Sequence, residues 1–187
     1  MTEPRHTAAA PLDPHNALVT SLDEPLRRRD DGPLAGRTLL VKDLIDTAGI
    51  RTTYGSGIYS DHVPTRNAGV VERVLDAGAA IVGKANLPEF AWSVLGRNEW
   101  FGTVHNPVRP GRTTGGSSSG NAAALAAGLV DLGIGTDTGC SIRLPAACCD
   151  VVGLKSQWGR IPVDGVFPLS PTLDTVVAIV AGLRSGV

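Results

Sequence analysis

Hydrophobic positions along the chain switch repeatedly between extended and helical spacing. In "GRTLLVKDLIDTAGI" an apolar run begins after Gly36, and Thr38 to Val41 read as a buried strand. "NAGVVERVLDAG" places Val70, Val71, Val74 and Leu75 on one helical face, with Gly78 where a C-terminal cap is expected. "AAIVGK" then reads as a second strand. The order recurs further on. "GNAAALAAGL" is built of small, strong helix formers up to Gly128, "LVDLGIGTD" reads as a strand, and "CSIRLPAACC" reads as a turn into a short helix with Pro145 near its start. Helix, short turn and apolar strand in succession predict an α/β layered fold. The alanine-rich helix is expected to lie close against the sheet. Residues 1–33 differ, being rich in Pro, Asp and Arg with little periodicity. They are expected to form an arm or linker, with a short helix in "PHNALVTSLDEPL", and the domain proper is expected over 34–187.

Composition narrows the function. The 187 residues are 42% hydrophobic and 19% charged, which fits one globular domain with a sizeable core. The formal net charge is -1, and the "RRR" of Arg27 to Arg29 is followed at once by Asp30 and Asp31, so no polybasic block points to nucleic acid or an anionic membrane. No stretch approaches the roughly 20 apolar residues of a membrane helix. "MTEPRHTAAAPLDPHNAL" has no apolar core long enough for a signal peptide. Three cysteines, Cys140, Cys148 and Cys149, are an odd set with two adjacent, for which a reducing cytoplasm is the simplest setting. None of His6, His15, His62 and His105 is spaced to them like a zinc ligand, so no metal site is expected.

Candidate chemistry centres on "TTGGSSSGN", residues 113–121. Gly116, Ser118 and Gly120 satisfy the G-x-S-x-G elbow, but that hydrolase order needs a His after the serine, and the last His is His105. Gly78, Gly83 and Lys84 satisfy G-x-x-x-x-G-K, but Ala85 stands where Ser or Thr must hold magnesium, and "AAIV" reads as strand. Lys84 is then expected at a strand end in a turn. A third arrangement needs no His, because a lysine that has lost its proton can activate a serine. Lys42, at the end of "TLLV", is placed for this. On spacing alone a surface lysine paired with Asp43 is the simpler reading.

The stretch "TTGGSSSGNAAALAAGLVDLGIGTDTGCSIRLPAACCDVVGLK" resembles the signature of the amidase signature family. "GPLAGRTLLVKDLIDTAG" resembles that family's segment around its catalytic lysine, and "GKANLPEF" and "FGTVHNP" fit its connecting pieces. The resemblance runs from about Gly32 to Asp174. It implies a partial mixed β-sheet with helices on both faces. It also implies a Ser-Ser-Lys triad of Lys42, Ser117 and Ser141, the two serines 24 positions apart, with a cis peptide between Gly116 and Ser117. Ser141, in "TGCSIR", becomes the expected nucleophile and Ser117 the relay. Ser118 is expected to support the turn and Lys42, and Ser119 only to enter the helix. The oxyanion donors fall on Thr138, Gly139, Cys140 and Ser141, braced by an Asp137–Arg143 pair.

The implied reaction is hydrolysis of a carboxamide C–N bond through an acyl-enzyme, with a small-molecule amide substrate and no metal or cofactor. A homodimer stays open. A place in an amidotransferase as its A-type subunit, or a non-catalytic fragment, are the other readings. Cys140 stands where the family has Gly, Cys148 replaces an aromatic, Asp150 a glycine and Ser156 a proline. The family's domains run to several hundred residues, so the chain is expected to be C-terminally truncated. On that expectation "VVAIVAGLRSGV" would form an exposed apolar tail, and Lys42 would be wetter, its pKa staying closer to that of free lysine.

Overall fold

The structure, a computed structural model, describes residues 13–180. Six strands form one mixed sheet: β1 (Leu18–Leu26), β2 (Thr38–Lys42), β3 (Ala80–Ala85), β4 (Leu132–Thr136), β5 (Val152–Leu154) and β6 (Val176–Val180), in the order β1-β3-β2-β4-β6-β5. The centre, β3-β2-β4, is parallel, and β1, β6 and β5 each join antiparallel. Three helices connect them: α1 (Gly69–Asp76), α2 (Ser119–Ala126) and α3 (Arg143–Cys148).

Strand alternation sorts the central residues onto two faces. Leu40, Ala85, Val177 and Ile179 pack with α2 and α3, including Ala122, Ala123, Leu125 and Ala146. Leu39, Val41, Ile81, Ile134 and Val176 face the other way and pack with Val70, Val71 and Leu75 of α1. Helices therefore cover both faces, as expected. Each fully buried Leu, Ile or Val contributes about 1.5–3 kcal/mol.

α1 ends as its sequence predicts. Ala77 closes the last turn, and Gly78 has φ +91°, where a Cβ would lie 2.3 Å from Asp31 O. Only glycine fits that position. α2 lies so close to its neighbours that a Cβ on Gly120 would reach 2.2 Å from Ala17 O and 2.6 Å from Asn86 N. Asn121 Nδ2 donates to Leu40 O at 3.0 Å and Ile134 O at 3.3 Å, tying the helix to β2 and β4.

Four expectations are corrected. "LVTSLDEPL" is β1, an edge strand on β3, and no helix forms there; residues 18–26 are part of the sheet rather than an arm. Its strand register depends on β3, some sixty residues away, which local patterning cannot reveal. The supposed apolar tail begins with β6, which pairs with β4 and β5 and buries Val176, Val177 and Ile179; residues 181–187 lie outside those described, as do 1–12 and His6. The arginine run is not neutralised only locally. Arg27 pairs with Asp30 and Arg29 with Asp31, but Arg28 crosses to Glu72 and Asp76 of α1, both at 2.5 Å. Lys84, expected in a turn, lies within β3 and is fully buried.

Candidate active site

Lys42 ends β2 with no solvent exposure. Its Nζ donates to Ser117 Oγ at 2.7 Å and to Thr136 Oγ1 at 2.8 Å. Burial lowers its amine to about 7, against the opposing pull of Asp137 and Asp174. The wet, ordinary lysine expected for a short chain is thus corrected: β2, β4 and the serine loop already exclude water from it. The alternative of a surface lysine paired with Asp43 is corrected too. Strand alternation turns Asp43 to the opposite face, where it lies 3.7 Å from Lys84.

Ser117 is fully buried, and the Gly116–Ser117 peptide is cis. Ser118 N–H donates to Ser141 O at 3.1 Å, which joins the two serine loops through the backbone. The Ser118 hydroxyl donates to Thr136 O at 3.3 Å. That bond ties the serine turn to β4, while the groups that hold the Lys42 amine are Ser117 and Thr136. Ser119 is buried at the start of α2, with its hydroxyl donating to Asn86 O at 3.4 Å.

Ser141 is 7% exposed and lines a cavity of about 550 Å³ with Thr138, Gly139 and Cys140. The facing wall is Ala91 to Leu95 with Leu169 and Ser170. Trp92, Val94 and Leu95 present large apolar surfaces there, each at least half exposed. Cys140 is not among the non-glycine residues at positive φ, so a side chain at this position brings no backbone strain. Asp150 does adopt the left-handed region, at φ 56°, a conformation that Asp tolerates better than most residues. Ser156 Oγ donates to Val176 O at 3.2 Å. Cys149 is buried in the α2–α3 core, whereas Cys140 and Cys148 are half-buried, and all three are free thiols.

The Asp137–Arg143 pair forms, with Nε to Oδ2 at 3.1 Å and Nη2 to Oδ1 at 3.0 Å. Asp137 is more than half of a pair. It accepts the N–H of Ile142 at 3.1 Å, and Lys155 Nζ donates to its Oδ1 at 3.1 Å and also to its backbone O. Burial would push its carboxyl up, but Arg143, the Ile142 N–H and Lys155 overcome that and hold it at about 2. Thr138 Oγ1 donates to Asp174 at 2.6 Å, and Asp174 also accepts the N–H groups of Leu169 and Ser170. The loop from 137 to 141 is therefore anchored at both ends.

Sequence reasoning missed Thr136, Lys155 and Asp174. It also missed the pairing of Lys84 with Asp43. Lys84 Nζ donates to Ile45 O and Thr52 Oγ1, both at 2.6 Å, while Asp43 Oδ2 accepts the Thr53 N–H at 2.9 Å. Burial pushes Lys84 down to about 8 and the Asp43 carboxyl up, with their mutual attraction acting against both. Together they pin the loop that leaves β2 just after Lys42. Among the described residues no group of three or more His, Cys, Asp or Glu could hold a metal ion, and no helix is long and apolar enough to cross a membrane.

The Amidase family model matches residues 3–184. The A-type subunit of glutamyl-tRNA(Gln) amidotransferase from Haloarcula marismortui is 49% identical over 162 residues, covering 87% of this chain and 38% of that protein. The solved structure of the corresponding A-type subunit from Thermotoga maritima superposes with a TM-score of 0.84 at 37% identity, over 90% of this chain and 37% of that one. Peptide amidase from Stenotrophomonas maltophilia superposes with a TM-score of 0.76 at 38% identity, over 82% and 35%. The chain spans about two fifths of the length of the curated relatives it matches, 38% and 43% for two of them. By sequence match and by fold, this chain belongs to the amidase family.

Proposed function

We propose that this chain carries the nucleophile and proton relay of an enzyme that cleaves a carboxamide C–N bond. The observation that carries the reading is Lys42: buried, lowered to about 7, and 2.7 Å from Ser117 Oγ. An amine that is about half neutral near pH 7 can serve as a general base there, and an ordinary lysine, almost wholly protonated, cannot.

In this mechanism the Ser117 hydroxyl gives its proton to the neutral Lys42 amine and takes the proton of Ser141. Ser141 Oγ forms a bond to the amide carbon, and the carbonyl electron pair moves onto oxygen. Backbone N–H groups of Thr138, Gly139, Cys140 and Ser141 stabilise that charge, with removal of one such donor costing roughly 3–4 kcal/mol. Collapse breaks the C–N bond as the relay returns its proton to the leaving nitrogen. Water then attacks the acyl-enzyme by the same route, releasing the acid and restoring Ser141. Asp137, Arg143, Lys155 and Asp174 position the donor loop.

Reaction with a fluorophosphonate followed by peptide mapping tests the reading. Attachment at Ser141, lost in Lys42→Ala, is expected. Attachment at Ser118, or labelling that survives Lys42→Ala at an unchanged rate, would overturn it. A second reading is favoured by the Haloarcula and Thermotoga relatives: the same acyl chemistry within the A-type component of an amidotransferase, the released ammonia passing to an acceptor. Turnover of a simple amide that rises several-fold on addition of partner subunits would distinguish it from a free-standing amidase.

A further inference from the structure

A second cavity of about 550 Å³ opens beside the one at Ser141, and the two share Leu95 in their walls. Their chemistry differs. The Ser141 cavity is walled largely by apolar side chains, whereas the second adds His15, Arg97, His105 and Arg112 to the apolar Leu95, Val104, Pro107 and Pro110, with no carboxylate in its lining. Arg97 is partly engaged at the rim, its Nε 2.9 Å from Glu99 Oε1. The Arg112 guanidinium has no hydrogen bond or ion pair with any described residue; Arg112 engages only its backbone N–H, which donates to Arg109 O at 3.0 Å.

The walls are held in place by the fold. Buried Asn106 accepts the N–H groups of Val108 and Arg109, both at 2.9 Å, and donates to Thr113 O at 3.0 Å and Cys148 O at 2.9 Å. This fixes the 106–113 loop from inside. His105 N–H donates to His15 O at 2.8 Å, and Asn16 Nδ2 donates to Phe101 O at 2.7 Å, so the two histidine-bearing segments are joined. A site whose side chains stand on a fixed frame loses less entropy when it binds.

We propose that this cleft is a binding site for a phosphate group. Two arginines and two histidines line one concavity whose lining includes no carboxylate, Arg97 alone being paired at the rim with Glu99 and Arg112 making no ion pair with a described residue, in a chain whose net charge is only -1. Two guanidinium forks and two imidazoles offer more donors than the two oxygens of a carboxylate accept in good geometry, and the terminal oxygens of a phosphate match them better. The loop that carries Arg112 runs on through Thr113, Thr114, Gly115 and Gly116 to Ser117, so an occupied cleft also steadies the approach to the serine pair. The phosphate belongs either to the substrate, reaching past Leu95, or to a separate small molecule.

Calorimetric titration of the purified protein with inorganic phosphate, and with acetate as control, tests the proposal without reference to turnover. Phosphate binding that weakens by about tenfold in Arg112→Ala and again in His105→Ala is expected, as for the loss of one charge-assisted hydrogen bond each. Arg27→Ala, at an exposed arginine just beyond β1, should leave it unchanged. Equal binding of acetate and phosphate, phosphate binding indifferent to Arg112→Ala, or no phosphate binding by a protein whose circular dichroism and Ser141 labelling are intact, would each overturn the proposal. Competition of inorganic phosphate with a phosphorylated amide substrate marks the group as the substrate's own; binding without competition marks a separate ligand. Either result supports the site.

Discussion

Lys42 and Asp43 are neighbours in the chain but face opposite sides of the sheet: Lys42 Nζ lies 2.7 Å from Ser117 Oγ, while Asp43 Oδ1 lies 3.7 Å from Lys84 Nζ. The carboxylate nearest in sequence is thereby committed to another lysine. Lys42 is left with hydroxyl partners, and burial can lower its amine without a carboxylate at contact distance to raise it again.

Breaking the buried Lys84–Asp43 pair should be costly. Lys84→Met alone, or Asp43→Asn alone, leaves a buried group without its partner and should cost about 3–5 kcal/mol in urea unfolding. Lys84→Met combined with Asp43→Asn should cost less than the sum of the two single changes. Additive costs in the double-mutant cycle would show that the two side chains act separately.

Acylation should follow the protonation of Lys42. The base must be neutral, so the rate of fluorophosphonate labelling should fall as pH drops below about 7 and level off above it. A rate that is flat from mildly acidic to alkaline pH would exclude a lysine base.

Stability should depend on pH through the same group. In the folded chain Lys42 titrates near 7 and Lys84 near 8, against 10.5 for an ordinary lysine. Above these values the unfolded chain binds more protons than the folded one, so stability rises with pH, by up to about 1.4 kcal/mol per pH unit for each group. Cys149, raised from 9.0 to about 12, works in the opposite direction above 9. The expected signature is a rise between about pH 7 and 9, measured by denaturant midpoint and diminished in Lys42→Met.

Substitutions at the serine loops should separate by role. Ser141→Ala and Lys42→Ala should abolish labelling and turnover, and Ser117→Ala should impair both severely. Ser119→Ala should stay within several-fold, because its hydroxyl makes one long bond to Asn86 O at 3.4 Å. Asp137→Asn should reduce kcat more than Arg143→Ala, since Lys155 and the Ile142 N–H still hold the carboxylate when Arg143 is gone.

Much of this architecture can be read along the chain because the central elements obey local rules. Thr38 to Val41, the α1 stripe with Gly78, and the alanine run before Gly128 each combine periodicity with a recognisable stop. Lys42 and the two serines became candidates through the resemblance, since long motifs kept their order. What stayed hidden depends on distant partners. β1 carries Asp23, Glu24 and Pro25 and reads as a short helix in an arm until β3 pairs with it. Lys84 follows a glycine and looks like a turn residue until Thr52 and Asp43 close around it. Asp174 lies 36 residues from Thr138, whose hydroxyl donates to it, and no spacing announces that contact.

The helix behind the serine loop has a consequence for how such a chain can diverge. Every residue of α2, from Ser119 to Ala126, is buried, and its side chains are Ser, Gly, Asn, Ala and Leu. A larger residue at any of these positions adds atoms to a closed interior, and at Gly120 they would meet the backbone of Ala17 and Asn86. The rim of the Ser141 cavity, with Trp92 and Val94 in solvent, can vary without that penalty. Descendants of one ancestor can therefore explore new substrates at the rim while α2 stays closed to experiment. The smallest side chains in the molecule leave its sequence the least room for change.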